Sequence, residues 1–177
     1  MADATATTSF GATEVLQKDI LTTPTFISSA FAALLDALSR HALAERGIED
    51  VDIWDLAFCH WLTEAEQVFT EVTTLIGVIR RADPARVEDR VLQRLTTLID
   101  AMIGSEEPGT FQRLHARLPV ALFRCPGEGP AALQARWMLA AARRRIDALA
   151  QLATYADLPP EEGPESAFDA RALPLTA

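Results

Sequence analysis

The chain has 177 residues, with 25 acidic and 16 basic side chains and a formal net charge of −9. That length suits one domain with a real core, and the negative charge disfavours nucleic acid or anionic lipid as a nonspecific partner. Ala and Leu are frequent and Tyr155 is the single tyrosine, a composition that leans toward helix and away from strand.

Residues 1 to 12 are mostly Ala, Thr, Ser and Gly with little to bury, and they read as a mobile arm. Thr13 then caps a short helical segment carrying Val15, Leu16, Ile20 and Leu21, which must dock on the body to persist. Thr23-Pro24 opens the first long helix by the cap-and-proline device, and Gly47 ends it. Ile27, Ala30, Leu34, Leu38 and Ala42 give that helix an apolar face, with His41 at its edge. Its apolar stretch from Phe26 to Leu43 is interrupted by Ser28, Ser29, Asp36, Ser39 and Arg40, which is too polar for a bilayer.

The second helix is expected from Asp52 to Ala82, with a seam of Trp54, Phe58, Trp61, Ala65, Val68, Val72, Leu75 and Ile79. Asp83-Pro84 repeats the cap-and-proline signal, so a third helix from Pro84 to Ile103 folds back beside the second. Its expected stripe is Val87, Val91, Leu95, Leu98 and Met102, closed by Gly104 as a left-handed stop. Residues 105 to 129 are broken by Pro and Gly and hold only one brief helix, near Thr110 to Leu118. Gly129-Pro130 starts a last helix reaching about Ala156, with Leu133, Trp137, Ala141, Leu149, Leu152 and Tyr155 facing inward.

The fold expected is therefore all-α: an antiparallel, up-down bundle of four long helices with one or two short accessory helices. The domain spans residues 13 to 157, and the acidic, Pro-rich tail of 158 to 177 is expected to be disordered. No basic-then-apolar leader opens the chain and Cys59 and Cys125 form no CxxC, so a reducing cytoplasm is expected.

The residues offer no convergent catalytic set. A di-iron bundle needs Glu-x-x-His pairs, and none occurs, so neither a metal nor a cofactor is expected. His60, Glu64 and Glu71 share a helix face but read as solvated charge. His41 and His115 lack an orienting partner nearby in sequence, although Arg113 and Arg117 flank the latter. Cys125, before Pro126, sits where solvent access is expected. Trp54, His60, Trp61 and Trp137 are the residues that would border a pocket between helices, and the helical spacing of Trp54, Phe58, Trp61 and Phe69 favours core over ligand box.

Charge is segregated along the chain. Acids dominate from Glu45 to Glu71, whereas Arg80, Arg81, Arg86, Arg90 and Arg94 cluster, the last three at four-residue steps. In an up-down bundle this basic pole would neighbour the start of the tail, with its Asp157, Glu161, Glu162, Glu165 and Asp169. The function expected is that of a non-enzymatic interaction protein, an adaptor, assembly factor or inhibitor, binding another protein through its helical surface, with these arginines as the candidate contacts should that partner be acidic. The alternative is a bundle that binds a small ligand or metal between its helices, with or without catalysis. A homodimer is a further expectation.

Overall fold

The computed structural model describes residues 23–49, 54, 58–118 and 125–156. Every regular element among them is helical: α1 Phe26–Glu49, α2 Phe58–Arg81, α3 Val87–Ile103, α4 Thr110–Ala116 and α5 Pro130–Leu149, followed by a 3-10 turn at Ala153–Tyr155. The expected arm, the segment capped by Thr13 and the tail all lie outside the described residues. No helix among the described residues is long and apolar enough to cross a membrane.

α1 starts two residues later than Thr23-Pro24 implies. Thr25 is the cap: its Oγ1 accepts the Ser28 amide at 3.0 Å, and the Ser28 hydroxyl donates back to the Thr25 carbonyl. Ile27, Phe31, Leu34, Leu35 and Leu38 are buried along one face, which packs most extensively on α2. On α2, Ala65, Val68, Val72, Ile76 and Ile79 are buried in helical rhythm. The seam stops at the half-buried Phe58 and Trp61; Trp54 is 85% exposed and lies off it.

α3 folds back along α2, as Asp83-Pro84 predicts. Gln93 Nε2 donates to the carbonyls of Ile79 and Ala82, satisfying orphan acceptors at the end of α2. Asp89 turns inward to accept the amides of Ala85 and Arg86, both at 3.0 Å, and the Thr25 hydroxyl at 2.6 Å. That inward Asp89 sets the helix rotation, so Leu92, Thr96, Ile99 and Ile103 are buried in step with it, beside the expected Leu95 and Met102. Val87 is exposed instead of buried, and Val91 and Leu98 are half-buried. Gly104 is not left-handed: its φ is −93°. Glycine suits the position for space, because a Cβ would come within 2.8 Å of the Asp100 carbonyl.

The last helix runs in the direction opposite to that expected. The first turns of α5, Ala131, Gln134 and Ala135, share a crevice with Thr25, Ser28 and Asp89 at the start of α1 and α3. Farther along, Arg145 Nε donates to the Leu35 carbonyl, and beyond the helix Thr154 donates to Glu45 near the end of α1. α5 is therefore parallel to α1 and α3. The stretch 104–129, which contains α4, has residues enough to return the chain along a helix of about 30 Å, so nothing obliges α5 to be antiparallel. Its buried face is rich in small residues, Ala132, Ala135, Ala141 and Ala142, with Met138, Leu139 and Ile146. Leu133 and Trp137, expected inside, project outward, Trp137 at 64% exposure.

Candidate functional site

Where α1 and α3 end and α2 begins, the helices leave a cleft of about 1050 Å³. Leu62, Ala65 and Phe69 of α2, Met102 and Ile103 of α3, and Phe111 of α4 supply its apolar wall. Glu45, Glu66, Glu106 and Glu107 stand around it, and among the described residues no Lys or Arg lines it. Arg113 lies 3.0 Å from Glu107 and offsets that one charge. The volume is at the upper end of what small-molecule sites usually occupy.

One side of the cleft is closed by the chain after α5. Residues 41, 45 and 49 of α1 lie on one face at four-residue steps, and three consecutive residues of the 3-10 turn meet them. The Ala153 amide donates to Glu49 Oε1, Thr154 Oγ1 donates to Glu45 Oε2 at 2.8 Å, and the Tyr155 hydroxyl lies 2.9 Å from His41 Nε2. Gln112 Nε2 of α4 donates to the carbonyls of Ala150 and Tyr155, both at 2.9 Å, fixing the turn from the other side. Tyr155 also packs on Phe111, centroid to centroid 4.6 Å, and His41 on Phe69 at 5.4 Å.

His41 is the polar group buried at this wall, only 1% exposed. Burial pushes its pKa below the ordinary value, with the Glu45 charge opposing, so the imidazole is neutral near pH 7. Burial, reinforced by Glu45, raises the Tyr155 phenol well above its usual range and keeps it protonated. His41 Nδ1 is buried with no hydrogen-bond partner among the described residues. Glu45 Oε1 stands 3.7 Å from it, beyond hydrogen-bond reach. Because a phenol both donates and accepts, the proton at Nε2 can belong to either partner, which leaves Nδ1 as donor or acceptor according to tautomer.

The hydroxyls lining the cleft are already engaged, Thr154 with Glu45 and Ser105 with the Glu107 amide. The arrangement is thus equipped to hold a ligand by hydrogen bonds and charge. No group of three His, Cys, Asp or Glu with metal-binding geometry occurs among the described residues.

The residues singled out in sequence lie elsewhere. Trp61 lines a second, 400 Å³ groove with Arg40, Leu43 and Val68, whereas Trp54 and Trp137 are exposed and His60 is exposed on α2; the four do not enclose a common space. Glu71 of the His60 face pairs with Arg40 at 2.6 Å, which lowers the Glu71 pKa. Arg81, Arg90 and Arg94 are exposed, Arg86 is half-buried, and Arg80 is paired with Asp100. The described chain ends at Ala156, at the cleft, whereas Arg86 lies by the first turn of α5; the tail itself lies outside the described residues.

His115, which has no partner nearby in sequence, finds one across the fold: Asp147 at 2.8 Å, itself 3.0 Å from Arg143 Nε. Burial works against ionisation of Asp147, but hydrogen bonds from His115 and Arg143 outweigh it and hold the pKa down. Cys125 is buried, contrary to its expected access, and burial raises its thiol pKa. The His41–Tyr155 pair could not be read locally, since 114 positions separate its members. The four-residue spacing of His41, Glu45 and Glu49 was the available signal. No protein-family model, curated protein or solved structure matches this chain.

Proposed function

We propose that this protein binds a small organic molecule in the cleft at the end of α1. The observation that carries the reading is a cavity of about 1050 Å³ with an apolar wall and, at its side, a buried imidazole nitrogen without a partner. A buried polar atom left unpaired costs about 1–3 kcal/mol, and a ligand that reaches it recovers that cost. Fluorescence of the neutral dye N-phenyl-1-naphthylamine tests the reading: enhancement with saturable, one-to-one binding is expected. Ala65→Trp, which places an indole on the wall, is expected to abolish it while the protein stays folded by circular dichroism. Absence of saturable binding to the folded wild type would overturn the proposal.

A second reading, binding of an acidic protein surface, is favoured by Arg81, Arg90 and Arg94, which are exposed and for which no acidic partner is seen among the described residues. Its test is salt-dependent association with a polyglutamate peptide, abolished by the triple substitution to Gln. Association of undiminished strength in that variant would refute it.

A further inference from the structure

Resting on the reading that the cleft is a ligand site, we infer that its ligand is an organic cation with an apolar body, its ammonium group bridging Glu45 and His41. Two independent observations point this way. The first is charge: Glu45, Glu66 and Glu106 face the cleft, no Lys or Arg lines it among the described residues, and of its acids Glu107 is the one with an arginine beside it among those residues. A carboxylate beside an apolar cavity favours a cation strongly, because the low-polarity wall screens their attraction less than water does. An anionic ligand would meet these same groups as repulsion.

The second is geometry at the wall. His41 Nδ1 and Glu45 Oε1 are 3.7 Å apart, and Nδ1 is buried and unpartnered. Nδ1 is buried as it stands, so the His41 and Glu45 side chains must part to admit a ligand; a nitrogen donor about 2.9 Å from each then closes that triangle at ordinary hydrogen-bond lengths. An ammonium has three N–H donors, so one group satisfies both acceptors and retains a third bond for solvent. A hydroxyl has a single O–H and satisfies one of the two. With the cation in place Nδ1 is the acceptor, so the imidazole proton sits on Nε2 and is donated to the Tyr155 oxygen at 2.9 Å. Phe69 and Phe111, on the same cleft, provide the apolar contact that the body of the ligand needs.

The test uses three probes of one skeleton on the full-length protein: 2-(1-naphthyl)ethylamine, 2-(1-naphthyl)ethanol and 1-naphthylacetate, titrated by calorimetry at pH 7. The amine is expected to bind at least tenfold more tightly than the alcohol, with the carboxylate weakest. Glu45→Gln retains an oxygen to accept from Thr154 and is expected to reduce amine affinity at least fivefold and alcohol affinity much less, so that the amine-to-alcohol ratio falls. Glu66→Gln, at an exposed position, is expected to reduce it less. Nitrogen-15 spectra should show the His41 proton on Nε2 in the amine complex. Equal affinity for amine and alcohol, a preference for the carboxylate, or an unchanged ratio in Glu45→Gln would each overturn the cation assignment. If the neutral dye still bound, the cleft would survive as a ligand site; if the dye failed as well, both readings would fall together.

Discussion

Asp89 is the side chain whose removal should reach farthest through the fold. Buried to 2% exposure, it joins three segments: the turn after α2, the first turn of α3 and the start of α1. Its Oδ2 accepts two backbone amides and its Oδ1 the Thr25 hydroxyl. Replacement by Ala removes a helix cap, typically about 1 kcal/mol, and a hydrogen bond to a charged acceptor, about 1.5–3 kcal/mol. The expected loss is therefore about 3 kcal/mol, or roughly 10 °C in Tm for a chain of this size. Asp89→Asn keeps one oxygen for the two amides and turns its NH2 to Thr25 Oγ1, so a loss of about 1 kcal/mol is expected. Urea denaturation followed by circular dichroism, with m unchanged, measures both. Adding Thr25→Val should reveal a coupling with Asp89 on the order of 1–2 kcal/mol. An Ala variant within about 0.5 kcal/mol of wild type, or an Asn variant as costly as Ala, would refute the reasoning.

Four further outcomes are expected. Because burial depresses the His41 pKa, the unfolded chain takes up a proton near its ordinary value of about 6.5 before the folded one does, so stability should fall as pH drops from 7 toward 5. His41→Gln should flatten that slope in denaturation at several pH values; an unaltered slope counts against a neutral buried imidazole. At the other extreme the raised Tyr155 pKa means that the unfolded phenol ionises first, so stability should fall as pH climbs past about 10, and less so in Tyr155→Phe. Cys59 is exposed and Cys125 buried, with the Cys125 thiol pKa raised; Ellman's reagent should modify one thiol quickly and the second only on unfolding, and simultaneous reaction would contradict that burial. Gly104→Ala should cost about 1–2 kcal/mol in the same urea assay, since its methyl meets the Asp100 carbonyl at 2.8 Å, and a neutral result would mean that α3 yields at its last turn.

How much of this was legible depended on whether the signal was local. Helix positions were: Ile27, Leu34 and Leu38, or Val68, Val72 and Ile79, repeat at three- and four-residue steps and are buried accordingly. Rotation of a helix was less so, because a polar residue can win an inward place by its hydrogen bonds. Asp89 does this on α3, and the stripe that would have buried Val87 turns to bury Leu92 instead. On α5 size misled: Trp137 and Leu133 look like core, yet the small face of Ala132, Ala135 and Ala142 is the one that is buried. The site itself was nearly invisible, because His41 and Tyr155 come together only through the direction of α5.

That direction is what creates the cleft. Had α5 run antiparallel to α1, its first turn near Pro130 would stand beside residues 41 to 49, and Tyr155 would lie beside Thr25. Running parallel, α5 ends where α1 ends, and the following turn lays Ala153, Thr154 and Tyr155 against Glu49, Glu45 and His41 in succession. Two of those α1 side chains, His41 and Glu45, both fasten the turn and face the cavity. A cation bound between them must therefore share Glu45 with Thr154 and fix the tautomer that Tyr155 sees. On the proposed cation reading, ligand binding and the hold of the 3-10 turn on α1 are coupled through these two side chains.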